Sequence, residues 1–304
     1  MEAAFISEKT VSGFSVVQFR TEGADTLDYI SVGKAAETGK VKITEIDEGG
    51  RVGTILVQND SDDCIFIAEG DLLQGAKQNR VVIASVFVTP RSKFHLPVNC
   101  VEQGRWRHRS RGFTPHNQSA PTDLKRKMRN TVHNNIIMNR THIADQMLTW
   151  SSVEEKSAYY RMRSGTDDLL EIMEEKRKRD EAELKDLINP GENANGLALF
   201  YAGELVQIEN FNRGDIYSEY FRKIVLGAYD EYGMFSRKEF TPGKGELEYK
   251  TKEMFGRIEA WEKTLHKSIA AGEEKRFRDE VTSGFELIYD NKLVHLSLLR
   301  NAVN

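Results

Sequence analysis

Along the first third of the chain apolar and polar positions alternate or bunch in short runs. "VKITEI" (41–46) alternates, "TILVQN" (54–59) leads into the turn "NDSDD", and "CIFIAEG" is a continuous apolar run. "RVVIASVFVTP" and "KFHLPVNCVE" follow, rich in β-branched and aromatic residues. These patterns predict strands, and the short turns between them favour antiparallel pairing. "SVGKAAETGK" breaks the pattern with a short helix, capped by Ser31 and stopped at Gly39. Residues 105–130, "RWRHRSRGFTPHNQSAPTDLKRKMRN", have no apolar period and read as a loop or linker. Beyond them the spacing lengthens. Ser152 and Glu155 stand at capping-box distance, and Leu169, Ile172, Met173, Leu184 and Leu187 recur at helical intervals up to "NPG" (189–191). "DIYSEYFRKIVLGAYDEY" and "ELEYKTKEMFGRIEAWEKTLHKSIAAG" predict two more amphipathic helices, the second closed by Gly272.

The C-terminal half carries an internal similarity. "GLALFYAGELVQIENF" (196–211) and "GFELIYDNKLVHLSLL" (284–299) align without gaps, matching Gly196 with Gly284, Leu199 with Leu287, Tyr201 with Tyr289, Leu205 with Leu293 and Val206 with Val294. Each reads as a β-hairpin, with "AG" and "DN" as turn residues, and together they suggest one mixed sheet backed by helices. The predicted class is α+β. An N-terminal antiparallel β-rich domain (1–104) is followed by a basic linker and helical connection (105–150) and an α+β region with the two similar hairpins (151–304). Sheet edges left by the hairpins offer a place for protein partners or a second copy of the chain.

Composition changes this picture in a few places. Of 304 residues 39% are apolar and 30% charged, which suits a folded chain rather than a disordered one. The net charge of -4 confines any nucleic-acid role to a local patch. Such a patch exists at 105–130, where eight arginines and lysines face the single acid Asp123. No run is long enough to span a membrane and the first residues lack a signal-peptide core, so a cytoplasmic protein without membrane association is expected. Cys64 and Cys100 lie among apolar residues and read as free buried thiols. The histidines do not cluster and the two cysteines do not make a four-ligand set, so neither metal nor cofactor is expected. Neither G-x-S-x-G nor a phosphate-loop spacing occurs.

The densest polar chemistry lies in "AEGDLLQGAKQNR" (68–80), squeezed between apolar strands. Arg80 is a planar fork suited to a phosphate or carboxylate, and Lys77 adds a point charge. Gln78 and Asn79 both donate and accept, as a ribose or base edge requires. Glu69 and Glu102 are the candidate general bases or ribose acceptors, with no catalytic residue assigned. One reading gathers Glu69, Lys77, Gln78, Asn79, Arg80, Glu102, Arg105 and Trp106 around a ligand pocket. The other makes the same residues buried ion pairs that fix the fold. In "RWRHRSR" a strand would place Arg105, Arg107, Arg109 and Arg111 on one face, with Trp106 and Phe113 available for stacking, giving an anion-binding segment. The same segment could instead be solvated or docked on acids of its own chain.

"EGDLLQGAKQNR" followed by "LPVNCVEQGRW" resembles the signature of the ARPP family, proteins associated with ADP-ribosylglycohydrolases and rhodanese-phosphatases. "LDYISVGKAAETGKVKITEIDEGGRV", "DQMLTW" (145–150) and "NANGLALFYAGELVQIENF" are similar to further blocks of that family. The resemblance implies a role in NAD-derived or ADP-ribosylated metabolism and brings no established activity. The expected function is binding, with or without processing, of an ADP-ribose-like or other phosphorylated nucleotide metabolite. A structural or interaction module of a defence or repair complex, or nucleic-acid binding through 105–129, is the alternative.

Overall fold

The structure, a computed structural model, describes residues 1–139, 141–162, 164–232 and 239–301. Two compact units share the chain. One holds Met1–Asp28, Asp180–Ser268 and Gly272–Asn304, the other Tyr29–Arg179 and Ile269–Ala271. The first unit opens with β1 (Ala3–Val11) and β2 (Phe14–Thr21). The second supplies β3 (Ile30–Ser31), α1 (Val32–Glu37), β4 (Val41–Thr44), β5 (Thr54–Asn59), β6 (Ile65–Ile67), β7 (Asp71–Gly75) and β8 (Arg80–Val82). It continues with β9 (Val86–Val88), β10 (Lys93–Cys100), β11 (Phe113–Ser119), α2 (Thr122–Asn139), α3 (Gln146–Tyr160) and α4 (Leu169–Glu183), whose last turn returns to the first unit. There follow β12 (Gly196–Tyr201), β13 (Glu204–Phe211), α5 (Gly214–Tyr232), α6 (Glu246–Ala260), β14 (Thr264–Lys267), β15 (Glu273–Arg278), β16 (Thr282–Tyr289) and β17 (Lys292–Arg300). The class is α+β with mostly antiparallel sheets.

The second unit is built on a six-stranded sheet in the order β11-β7-β8-β10-β5-β4. Its central strands are apolar on both faces, which is why their sequence reads as continuous runs. Leu73 and Val82 join Ile55, Val57, Val98 and the α1 residues Val32 and Ala35 in one core. Their neighbours Leu72 and Val81 join Leu124, Met128 and Val132 of α2, Val153 of α3 and Leu169 of α4 in another. A small sheet, β3-β6-β9, lies beside it, and Ala271 bridges to Phe87 of β9. The α1 caps follow the sequence, since Ser31 Oγ accepts from the Lys34 N–H at 3.0 Å and Gly39 turns with φ +70°.

The first unit is one eight-stranded sheet, β1-β2-β12-β13-β17-β16-β15-β14, antiparallel throughout rather than mixed. The two similar hairpins lie side by side at its centre. They share a bulge after Leu199 and after Leu287, and left-handed turns at Ala202–Gly203 and Asp290–Asn291. The likeness reaches the next strands. Gly196 pairs with Phe19 and Gly284 with Phe277, and in each case an added Cβ would stand within 2.2 or 2.5 Å of the aromatic ring. Leu247, Met254, Phe255 and Ile258 of α6 cover the sheet face that carries Val17, Phe19, Ile208 and Leu298. Among the described residues no helix is long and apolar enough to cross a membrane.

Several expectations are corrected. The expected boundaries at 104 and 150 do not follow the compact units, because β2 takes β12 as its partner, a pairing far apart in sequence. Residues 113–130 are not linker. They form β11 and the start of α2, where Lys125, Arg126 and Arg129 are buried. The third helix begins at Gln146 under an Asp145 cap, whose carboxylate accepts from the N–H groups of Met147 and Leu148. Ser152, the expected cap, instead donates to the Leu148 carbonyl inside that helix. The last helix stops at Ala260, not Gly272, because Trp261 turns extended and β14 and β15 follow.

Candidate functional site

The site grows out of the turn between β7 and β8. Gly75 (φ +128°) and Ala76 (φ +40°) twist the chain there, and an added Cβ on Gly75 would meet the Gly112 carbonyl at 2.5 Å. The twist turns both backbone groups of buried Ala76 toward the loop 105–112. Its N–H donates to Ser110 Oγ (2.9 Å) and to the Gly112 carbonyl (3.2 Å). Its carbonyl accepts from Arg105 Nη1 (2.7 Å) and from the Arg109 N–H (2.8 Å). One residue thus clamps the whole basic loop.

Arg105 completes the clamp. Its Nε and Nη2 donate to the two oxygens of Glu102, both at 2.6 Å, a bidentate pair buried from water. Glu102 also accepts from the Asn79 N–H (3.1 Å) and the Thr166 hydroxyl (3.0 Å). Burial alone would raise its pKa, but Arg105, the Asn79 N–H and Thr166 together hold it below the ordinary value. The Asn79 side chain accepts from the Gly75 N–H and donates to Asp168 Oδ2 (2.9 Å). Asp168, at the start of α4, is pushed up to about 6 by burial. Its bonds from Asn79 and the Leu170 N–H pull the other way, while Glu102 and Glu171 add to the rise. Gln78 donates to the Gln103 carbonyl at 3.3 Å.

Arg80 is wholly buried, which a sequence reading as a ligand fork does not anticipate. It donates to the carbonyls of Val52 (3.1 Å) and Arg51 (3.3 Å), pairs with Glu45 (3.4 Å) and touches Cys100 Sγ. Burial pushes the Cys100 thiol up to about 11, against the pull of Arg80, so it stays protonated at neutral pH. Glu69 goes elsewhere. Its carboxylate is taken by Arg129 of α2, whereas Glu102 pairs with Arg105 and Arg80 with Glu45, so the four residues expected around one pocket are engaged in three separate ion pairs.

What faces solvent is the outside of the loop. Residues 105–112 are not a strand, and the four arginines do not share a face. Arg105 turns inward, while Arg107, Arg109 and Arg111 are exposed and their side chains have no hydrogen bond or ion pair among the described residues. Trp106 is 46% exposed, with Lys77 Nζ at 5.5 Å and Arg80 Cζ at 5.8 Å from its ring. Lys77 is further held by the Gly49 carbonyl at 2.7 Å. Beyond Arg111 opens a groove of about 460 Å³ between α1, β4 and β11.

The chain matches the ARG and Rhodanese-Phosphatase-superfamily-associated Protein domain, ARPP-1, over residues 3–299. It belongs to that family. The segments that resemble the ARPP signature fall on β7, β8, β10 and the start of the clamped loop, so the signature and the clamp on Ala76 are one place in the fold. The family's description links it to ARG and rhodanese-phosphatase superfamily proteins. No curated protein and no solved structure matches the chain.

Glu45, Asp168, Thr166 and Arg129 complete this network and are absent from the sequence-derived set. Arg129 had a signal, since it adjoins Met128 on a helix whose Leu124, Met128 and Val132 face the core. Asp168 had another, as an acid placed before the "LL" that opens α4. Glu45 had one too, since in "VKITEI" it takes the inward position after Val41 and Ile43 and is buried like them.

Proposed function

We propose that this chain binds a phosphorylated nucleotide metabolite of the ADP-ribose kind on the outer face of the 105–112 loop. Arg107, Arg109 and Arg111 take the phosphates, Lys77 adds charge, and the exposed part of Trp106 receives a base or ribose. The carrying observation is three guanidinium groups without a partner among the described residues, on the same clamped loop as a half-exposed indole, which Ala76 and the Glu102–Arg105 pair hold in place. Such a loop spends little ordering entropy when a ligand arrives. In this reading Glu69, Gln78, Asn79, Arg80, Glu102 and Arg105 support the site rather than touch the ligand.

Titration calorimetry with ADP-ribose, NAD, AMP and inorganic phosphate tests it. Replacing Arg107, Arg109 and Arg111 together with alanine is expected to weaken ADP-ribose binding at least about tenfold while the melting temperature holds. Equal affinity of wild type and triple variant removes the reading. The buried pairs Glu69–Arg129 and Glu102–Arg105 favour a second one, a scaffold or interaction module without a small ligand, which predicts no binding of any of the four compounds. Short RNA bound with a steep salt dependence would point to the basic loop as a nucleic-acid contact instead.

A further inference from the structure

We infer that the groove beside Arg111 is a second subsite and that the ligand is two-headed, a nucleoside diphosphate whose far phosphate carries a second sugar or nucleoside. This rests on the nucleotide reading of the 105–112 loop and adds to it the other half of the molecule.

The groove touches every residue of 41–44 and of 111–115. Successive side chains of a strand point to opposite faces, so a groove that meets all of them runs along the main chain at the strand edge. The side chains of Val41, Ile43 and Phe113 are buried in the core, which leaves their backbone atoms to line it. β4 and β11 are the two edges of the six-stranded sheet and form no ladder with each other. Their outward N–H and C=O groups suit sugar hydroxyls or the edge of a heterocycle. The volume lies within the range of small-molecule sites.

Charge sets the direction. Of the lining charges, Glu37 pairs with Lys34 at 3.9 Å and Lys42 with Asp60 at 2.7 Å, while Arg111 has no partner among the described residues. The anionic part of a ligand belongs at the Arg111 end and an uncharged part in the groove. Trp106 stands at the other end of the same loop, and the Arg105 side chain, the Arg109 N–H and the Gly112 carbonyl all bond to Ala76, so the two platforms belong to one clamped loop with Arg107 and Arg109 between them in sequence. A mononucleotide fills one flank and leaves the other empty.

Calorimetry on the full chain with ADP and with ADP-ribose decides it, alongside Thr114→Trp, an exposed β11 position whose indole would fill the groove. Wild type is expected to bind ADP-ribose at least about tenfold more tightly than ADP, and Thr114→Trp to erase that margin while ADP affinity stays as it was. Equal affinities in wild type, or a margin that survives Thr114→Trp, overturn the second subsite and leave the phosphate site standing. Failure of both ligands to bind overturns both. Should the variant not fold, the wild-type comparison decides alone.

Discussion

Arg105 and Arg107 stand two positions apart in one basic run and meet opposite fates. Arg105 is buried against Glu102 and the Ala76 carbonyl, and Arg107 projects into solvent. Removing Arg105 leaves the buried Glu102 carboxylate without its charge partner and the Ala76 carbonyl with the Arg109 N–H alone. Arg105→Ala is therefore expected to cost about 3–5 kcal/mol in urea denaturation, whereas Arg107→Ala, Arg109→Ala and Arg111→Ala stay within about 0.5 kcal/mol of wild type. A large loss at Arg107 would mean that the loop is built differently. The sequence showed the density of charge in "AEGDLLQGAKQNR" and "RWRHRSR" but not its direction. Whether an arginine turns in depends on a carboxylate within reach, and Glu45 for Arg80 or Arg129 for Glu69 comes from segments tens of residues away.

At the level of elements, the central hairpins repeat a packing device as well as a sequence pattern. Gly196 and Gly284 each leave room for an aromatic ring across the strand, Phe19 and Phe277 respectively. A methyl group at Gly284 would overpack the site, so Gly284→Ala is expected to cost about 1–3 kcal/mol. Phe277→Leu in the same chain should recover part of that loss, and a thermal-denaturation double-mutant cycle would show the coupling. Independent, additive effects would mean that the two side chains do not compete for the space. The hairpins and the strands of the second unit were legible because local turn chemistry and apolar runs dictate them. The end of α6 was not, because "EKTLHKSIAAG" continues a helical spacing and becomes strand only by pairing with Glu273–Arg278. The division of the chain was also hidden, since it follows from β2 joining β12 rather than from any local signal.

For the whole molecule, Asp168 ties stability to pH. Its folded value near 6 lies above the ordinary 3.8, so the native state holds that proton more tightly than the unfolded chain does. The contribution is complete below the ordinary value and is lost as pH rises through the folded one. Glu102, held low, acts in the opposite sense, its contribution being lost as pH falls. Comparison with Asp168→Asn isolates the first effect. Whatever the amide costs in hydrogen bonding, wild type should lose about 2–3 kcal/mol relative to the variant between about pH 4 and pH 7. A difference that stays constant across that range would refute the assignment.

The pairing of Phe19 with Gly196 also governs the order in which the protein can be made. The β1–β2 hairpin leaves the ribosome before β12, so β2 has no second neighbour until the whole intervening unit and then β12 have been synthesised. Throughout that interval the nascent chain displays an open strand edge backed by Val17 and Phe19, an apolar template for other chains on the same message. Slower synthesis of residues 29–195 prolongs that exposure, so the yield of folded protein is expected to fall when translation of that stretch is slowed and to recover with added chaperone.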